Sequence, residues 1–267
     1  MKTKPKISII MSVFNGMPYL VEAIESILVQ TYKNFELIIV DDASTDETWT
    51  FLKSLSDDRV KLIRNRKNLG LAASLNKTLR HTLGDYVARM DADDISKLER
   101  LYTQLEFMEK NPQIDICGSF VSVIDKDGKI IGQIKKPLTD SKIKKELFWL
   151  TPLLHPTWFV KKEVFRKLKG YDGKWDYVED FEFLIRAKDF KMANIPRNLV
   201  LFRSQAERRS QASIEKIYKM SLMLRIKIFK EQKLGFFYLP ILVRSYISTY
   251  LLPTRLKIFL NKKMKFA

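Results

Sequence analysis

Cysteine and histidine are nearly missing from this chain of 267 residues, which has one Cys and two His. A lone thiol closes no internal disulfide, and no Cys/His spacing of a zinc site occurs. Cys117 lies in the apolar stretch 114–123 and reads as a small buried hydrophobe. Such sparing cysteine use fits a reducing compartment. Glycine is also sparse, at nine residues. Neither a phosphate-binding lysine loop nor a dinucleotide fingerprint is formed, and no Ser-His-Asp arrangement stands out. The start, MKTKPKISII, turns apolar only briefly and has no small-residue cleavage site, which excludes a signal peptide. No internal repeat and no low-complexity linker is present.

What is there belongs to a folding chain. Hydrophobic residues make up 46% and charged residues 30%, enough to bury a core without a structural metal. The length allows one large domain or two small ones. A net charge of +17 favours an anionic partner: nucleic acid, acidic lipid or a phosphorylated ligand. The excess is uneven. From Ile214 to Ala267 twelve Lys and Arg stand against two Glu, so the body is closer to neutral and the tail is basic.

The first hundred residues alternate strand and helix signals. Lys6–Phe14, Phe35–Val40, Val60–Arg64 and Asp85–Met90 are short apolar runs that read as buried strands. Between them the spacing predicts helices at Tyr19–Gln30, from the Ser44–Asp46 caps to about Leu55, and from Gly70 to about Thr82. Alternation of this kind predicts an α/β fold with a mostly parallel sheet flanked by helices, and ligands beyond the carboxyl ends of its strands. Further on, Leu98–Lys110 is helical. Ile114–Ile124 and Lys129–Ile134 form a hairpin whose Asp125 and Asp127 are turn residues. Helices are expected at Ser141–Leu150, Lys161–Leu168 and Val178–Phe190, with short strands at Ala193–Ile195 and Leu199–Arg203. We divide the chain into 1–213, itself a nucleotide-binding half (1–110) and an acceptor half (111–213), and a basic helical extension, 214–267.

Three acidic clusters fall where such a sheet would place a site. Asp91-Ala92-Asp93-Asp94 follows the fourth strand. In extended chain Asp91 and Asp93 point the same way and can hold a hard divalent cation, Mn²⁺ or Mg²⁺, with phosphates completing its shell. Asp94 points elsewhere and caps the next helix; capping is also the plain alternative for the whole cluster. Asp41 and Asp42 end the second strand, where two carboxylates need a cation or hydrogen-bond donors to offset their repulsion, and Asp46 beyond them is a helix cap. Glu179-Asp180 opens a helix whose dipole would keep Asp180 ionised; a simple helix-start acidic pair is the alternative. His155, in the apolar loop LLHPT, takes a structural hydrogen bond or a site role.

Taken in order, SVFNG (12–16), QTY (30–32) leading into FELIIVDDASTDET, NLGLA (68–72) with Asn76, GDYVARMDADD, His155-Pro156-Thr157 and Glu179-Asp180 resemble the family 2 glycosyltransferases of the GT-A fold. The resemblance covers about the first 205 residues. It implies a nucleotide-diphospho-sugar transferase fold and an inverting enzyme that moves a sugar from a nucleotide-diphosphate donor, by default a uridine nucleotide, to an acceptor hydroxyl. It implies base and ribose contacts for Ser12 and Phe14 and a pyrimidine contact for Asp42 with Asp41 beside it. Asn15, Gly70, Asn76 and Asp91 join them at the donor. Asp91 and Asp93 become the metal-binding pair and Asp180 the catalytic base, with His155, Glu179 and Arg203 in support. Two departures are visible. Leu75 stands where an arginine is common, and RSQAERRSQAS holds no histidine after the last strand. Arg203, Arg208 or Arg209 is therefore expected at the diphosphate.

The tail carries the apolar run Phe236–Leu252, broken by Pro240 and Arg244 and too short to span a bilayer. With its basic flanks it suits an interfacial helix on anionic lipid. The expected partners are a nucleotide-sugar donor and a glycan or lipid-linked acceptor, with no nucleic acid. The expected place is the cytoplasm, peripheral on the inner face of the cell membrane, in bacterial surface-glycan assembly. A sugar-nucleotide-forming nucleotidyltransferase would show a glycine-rich triphosphate loop near the first strand, which SVFNGMPYL lacks. A catalytically inactive sugar-nucleotide binder would not need the acidic positions kept here.

Overall fold

The computed structural model describes residues 4–148, 151–204, 211–231, 236–253 and 256–257. The alternation of the first hundred residues is realised as β1 (Ile7–Val13), α1 (Tyr19–Leu28), β2 (Phe35–Asp41), α2 (Thr48–Lys53), β3 (Val60–Arg64), α3 (Leu71–Leu79) and β4 (Tyr86–Arg89). β5 (Ile95–Ser96), α4 (Arg100–Lys110), β6 (Ile116–Ile124), β7 (Ile130–Ile134), α5 (Asp140–Glu146), β8 (Phe159–Lys161), α6 (Lys162–Leu168), α7 (Glu179–Arg186) and β9 (Met192–Arg203) follow. Two further helices, α8 (Gln211–Glu231) and α9 (Leu239–Tyr246), lie in the basic region, and a π-helical turn, Ile247–Leu251, continues α9.

The strand order is β3-β2-β1-β4-β8-β6-β9-β5, with β7 on β6. β3, β2, β1 and β4 pair in parallel. Beyond β4 the sheet turns mixed, because β8 runs antiparallel to both β4 and β6 while β6 and β9 are parallel. Two reversals restore the direction, so β9 ends at the same rim as β1, β2 and β4. β5 and β8 were not expected: two and three residues are too few to show a period. The two short strands expected near the end are one element, β9. Its register against β6 shifts around Ser119–Val121, opposite Pro196, where a residue without an N–H interrupts the ladder.

Side-chain alternation explains the layers. Ile7, Ile9 and Met11 pack with Leu20, Ile24 and Ile27 of α1, Leu52 of α2 and Leu101, Leu105 and Met108 of α4. Ile10 points the other way, toward Ala72 and Leu75 of α3, Val164 and Phe165 of α6 and Phe183 and Leu184 of α7. The same switch separates Cys117 from Ile116 and Phe159 from Val160. Each such side chain contributes roughly 1.5–3 kcal/mol on burial, so a one-residue slip of a strand would forfeit several at once. A third cluster joins Val178 and Phe181 to Phe148, Leu224, Ile228 and Ile241. Through it α8 and α9 pack onto the start of α7.

Candidate functional site

At the end of β2, Asp41 is fully buried. It accepts the Ser44 N–H at 3.2 Å and pairs with Arg64 Nε at 3.0 Å. Asp42 turns to the other side and orders the 65–70 loop. Its Oδ1 accepts from Asn65 Nδ2 (2.7 Å) and the Leu69 N–H (2.9 Å), and its Oδ2 from the Gly70 N–H (2.9 Å). Gly70 has φ +87°, which a side chain would strain, and a Cβ there would meet Asp176 Oδ2 at 3.0 Å. Donor hydrogen bonds, together with Arg64, offset the repulsion of the adjacent carboxylates. Beside them Asn15 is locked to the next loop: its N–H donates to Ser44 Oγ and its Oδ1 accepts from the Thr45 N–H, both at 2.9 Å. Asp46 Oδ1 accepts the Thr48 N–H at the start of α2, but the N-cap of that helix is Glu47, without a side-chain cap bond, so the expected capping role of Asp46 is corrected to a turn contact. Ser12 lies at the end of β1 beside Val40, and the Phe14 ring is half exposed on the rim.

The β4 end carries the acidic cluster. Residues 92–94 turn rather than extend, and this corrects the expected role of Asp94. It does not cap α4, whose N-cap is Glu99 without a side-chain cap bond. Instead carboxylate oxygens of Asp91, Asp93 and Asp94 lie within 4.8 Å of one another. Asp94 is buried, accepts the Arg203 N–H at 2.8 Å through Oδ1, and keeps a buried Oδ2 with no hydrogen-bond partner. Burial first, then Asp91 and Asp93, push its pKa well above the ordinary range. Three oxygen donors and one buried oxygen in want of a positive partner fit a hard divalent cation.

Three arginines frame this turn. The buried Arg89 pairs with Asp91. Arg100, also buried, donates through Nη2 to the Arg89 carbonyl at 2.7 Å. Arg203 is 3% exposed. It donates from Nε to the Asp93 carbonyl (3.0 Å), from Nη1 to the Asp125 and Lys126 carbonyls (3.0 and 3.2 Å) and from Nη2 to Glu22 (2.6 Å). Its guanidinium also stands 4.2 Å from the Tyr19 ring centre. The place expected for Arg203 at a diphosphate is thus corrected: its donors bind the protein itself, and it supports the site by holding the 91–94 turn. Arg208 and Arg209 lie outside the described residues.

The third cluster opens α7. Glu179 is buried while Asp180 is partly exposed. Burial, then the neighbouring Asp180, raise the Glu179 pKa to about 7. Asp180 Oδ1 accepts the Phe181 N–H at 2.7 Å, within the first turn of the helix. Tyr171 is within electrostatic reach of both this pair and the acidic turn. Its buried phenol is raised chiefly by desolvation, and it feels Arg89, Glu179, Asp180 and Asp91. His155 Nε2 lies 2.8 Å from the Tyr171 hydroxyl, and the His155 ring packs edge-on against Trp158. Asn76 lies on α3. Its amide clamps the Tyr171 backbone in both directions at 2.8 Å, which ties α3 to the loop before α7.

The structure therefore brings the acidic turn and Glu179-Asp180 to one locus around Arg89 and Tyr171. The Asp42-held loop meets that locus through Gly70 and Asp176, a neighbour that also acts on Glu179. The sequence pattern missed Arg89, Arg100 and Tyr171. Arg89 and Arg100 carried a signal: cations in otherwise apolar strand and helix faces are buried only with partners.

The family model "Glycosyl transferase family 2" matches residues 8–169. A putative glycosyltransferase EpsE of Bacillus subtilis is 38% identical over 218 residues, 78% of this chain and 76% of that protein. An uncharacterized glycosyltransferase of Methanocaldococcus jannaschii is 39% identical over 207 residues, 75% of this chain and 71% of that one. Among solved structures, Staphylococcus aureus TarS 1–349 in complex with UDP-GlcNAc has a TM-score of 0.68 at 19% identity, over 84% of this chain and 66% of that chain. The mannosyltransferase PcManGT from Pyrobaculum calidifontis, in complex with GDP-Man and Mn²⁺, has a TM-score of 0.66 at 19% identity, over 96% and 72%. These two support the fold, of the GT-A type. Because the family match spans more than half of the sequence and takes in both Asp42 and the acidic turn, the chain belongs to glycosyl transferase family 2 and is a transferase enzyme.

Proposed function

We propose that the enzyme transfers one sugar from a UDP-sugar to an acceptor hydroxyl by a single in-line displacement with inversion. The observation that supports this reading is that the acidic turn and the α7 carboxylates share two neighbours, Arg89 and Tyr171. Asp180 is partly exposed at a helix N-terminus and takes the proton of the attacking hydroxyl. Asp91, Asp93 and Asp94 would hold a divalent cation, which supplies charge stabilisation for the departing diphosphate. Ser12, Phe14 and Asn15 line the nucleotide side. Asp42, whose Oδ2 has taken only one donor, offers its remaining lone pairs to the base ring. Support also comes from the UDP-GlcNAc and GDP-Man bound by the structural neighbours. We place the reaction in bacterial surface-glycan assembly, with a glycan or lipid-linked acceptor, at the inner face of the cell membrane.

A thermal-shift screen of nucleotide sugars with Mn²⁺ and Mg²⁺, then mass spectrometry of products, tests the reaction. Asp180→Asn should abolish transfer and leave calorimetric UDP binding intact. Asp93→Ala should remove the Mn²⁺-dependent part of that binding. Undiminished turnover by Asp180→Asn would take Asp180 out of the chemistry.

A further inference from the structure

Helix α9 and the turn that continues it are apolar on two sides. One side, with Ile241 and Thr249, is buried toward α8. The other presents Leu239, Val243, Tyr246, Ile247, Tyr250 and Leu251 to solvent, 40–70% exposed. At about 100° per residue the three in α9, Leu239, Val243 and Tyr246, fall within an arc of roughly 60°, a stripe and not a scatter, and the π-helical turn adds exposed Ile247, Tyr250 and Leu251. A helix with one apolar side already covered and a second one bare gains from a further covering surface. We propose that this stripe is the face by which the enzyme seats on an anionic lipid bilayer. The proposal rests on the membrane location read above and names the surface that achieves it.

Charge selects lipid over a second copy of the chain. After Glu231 the sequence contains seven Lys and Arg and no Asp or Glu. Arg244 borders the stripe and is exposed. It lies close enough to Arg225 to help burial lower that guanidinium to about 10. Two chains that each carry this excess repel one another, whereas anionic headgroups attract it. Tyr246 and Tyr250 pair an apolar ring with a polar tip, the chemistry of the headgroup boundary. Among the described residues no helix is long and apolar enough to cross a membrane, so the stripe would lie in the interface plane.

The seat is joined to the chemistry. Leu224, Ile228 and Ile241 pack on Val178 and Phe181, on either side of Glu179-Asp180. Arg225 lies 5.1 Å from the Phe181 ring centre and donates to the Phe148 carbonyl at 3.3 Å. A bilayer under α9 would therefore fix the height of the α7 terminus above an acceptor held in the same bilayer.

Vesicle flotation of the full chain tests this, with phosphatidylcholine alone and with about one third phosphatidylglycerol. The native chain should float with the anionic vesicles, weakly with neutral ones, and less as salt rises. Val243→Glu/Ile247→Glu should lose at least about tenfold of the partitioning with an unchanged melting temperature, since both side chains are exposed. Tyr246→Ser/Tyr250→Ser should show a smaller loss. Equal flotation by native and Val243→Glu/Ile247→Glu chains would overturn the proposal. So would equal binding to both vesicle types, or a stable native dimer in solution that this variant splits. Calorimetric UDP binding with Mn²⁺, measured on the same chains, separates the readings: a native chain that binds nucleotide but does not float with anionic vesicles condemns the stripe alone, and a native chain that binds no UDP condemns the UDP-sugar reading.

Discussion

Arg203→Met removes a buried clamp while keeping much of the side-chain volume. The guanidinium gives four hydrogen bonds, to the Asp93, Asp125 and Lys126 carbonyls and to Glu22. The three carbonyls lose about 1 kcal/mol each when their donor goes. The Glu22 pair adds little, because that side chain is 53% exposed and water replaces the arginine. The loss of the Tyr19 contact adds about 1 kcal/mol more. Some relaxation follows, so the net cost is about 3 kcal/mol, a fall in Tm of roughly 6–12 °C for a chain of this size. Stability alone does not test the positioning role. The turn that loses its anchor carries Asp93, so the Mn²⁺ concentration for half-maximal UDP binding should rise at least about tenfold, as when a partner behind a metal ligand is removed. Arg203→Lys keeps the charge but cannot reach three elements at once, and should fall between native and Met. Differential scanning calorimetry gives the first number and Mn²⁺ titrations below the melting range the second. A variant that melts early yet binds Mn²⁺ and UDP as the native chain does would refute the clamp on the turn.

Two further outcomes follow from buried titratable groups. Glu179 has its pKa raised to about 7 in the folded chain. Its contribution is therefore complete below the unfolded value near 4.5 and is lost as pH rises through 7. Glu179→Gln should gain on the native chain by up to about 3 kcal/mol in the free energy of urea unfolding between pH 5 and 8; a stability difference independent of pH would show that Glu179 is not held protonated. Cys117 is buried with its thiol pushed up by desolvation. It should resist a thiol reagent until the chain unfolds, and labelling on mixing would contradict that packing.

How much of this was readable depends on what kind of signal each residue sends. Strands β1 to β4 announce themselves because buried parallel strands are short apolar runs, and their carboxyl ends then locate Asp42 and Asp91. Asp94 was misplaced because spacing arguments assume extended chain, whereas residues 92–94 turn and carry its carboxylate back to the other two. Asn76 was assigned to the donor by resemblance. Its partners, the two backbone groups of Tyr171, lie 95 residues away, and no local pattern records them. The same holds for Arg203, whose contacts reach to Glu22. The basic tail was legible in composition. The division at residue 213, however, falls inside α8, which packs on α7. Removing residues beyond it would strip core as well as tail, so point changes on the exposed stripe are the cleaner test.

Where the arginine donors go explains how the site keeps its negative charge. Three buried guanidiniums surround three carboxylates, an arrangement that could have cancelled. Yet the Arg100 Nη2 donates to the Arg89 carbonyl, and the Arg203 guanidinium reaches the Asp93 carbonyl rather than its carboxylate. Of these three arginines, Arg89 is the one that pairs with a cluster carboxylate, Asp91. On Asp94 the donor is a neutral backbone N–H, that of Arg203. Long-range attraction from the arginines lowers the cost of gathering the carboxylates, while their hydrogen bonds stiffen the chain that carries them. The Asp94 Oδ2 is thus left for a ligand. An arginine redirected onto Asp94 would compete with a cation for the same oxygens, which is why the backbone-directed geometry of Arg203 matters more to this site than its charge.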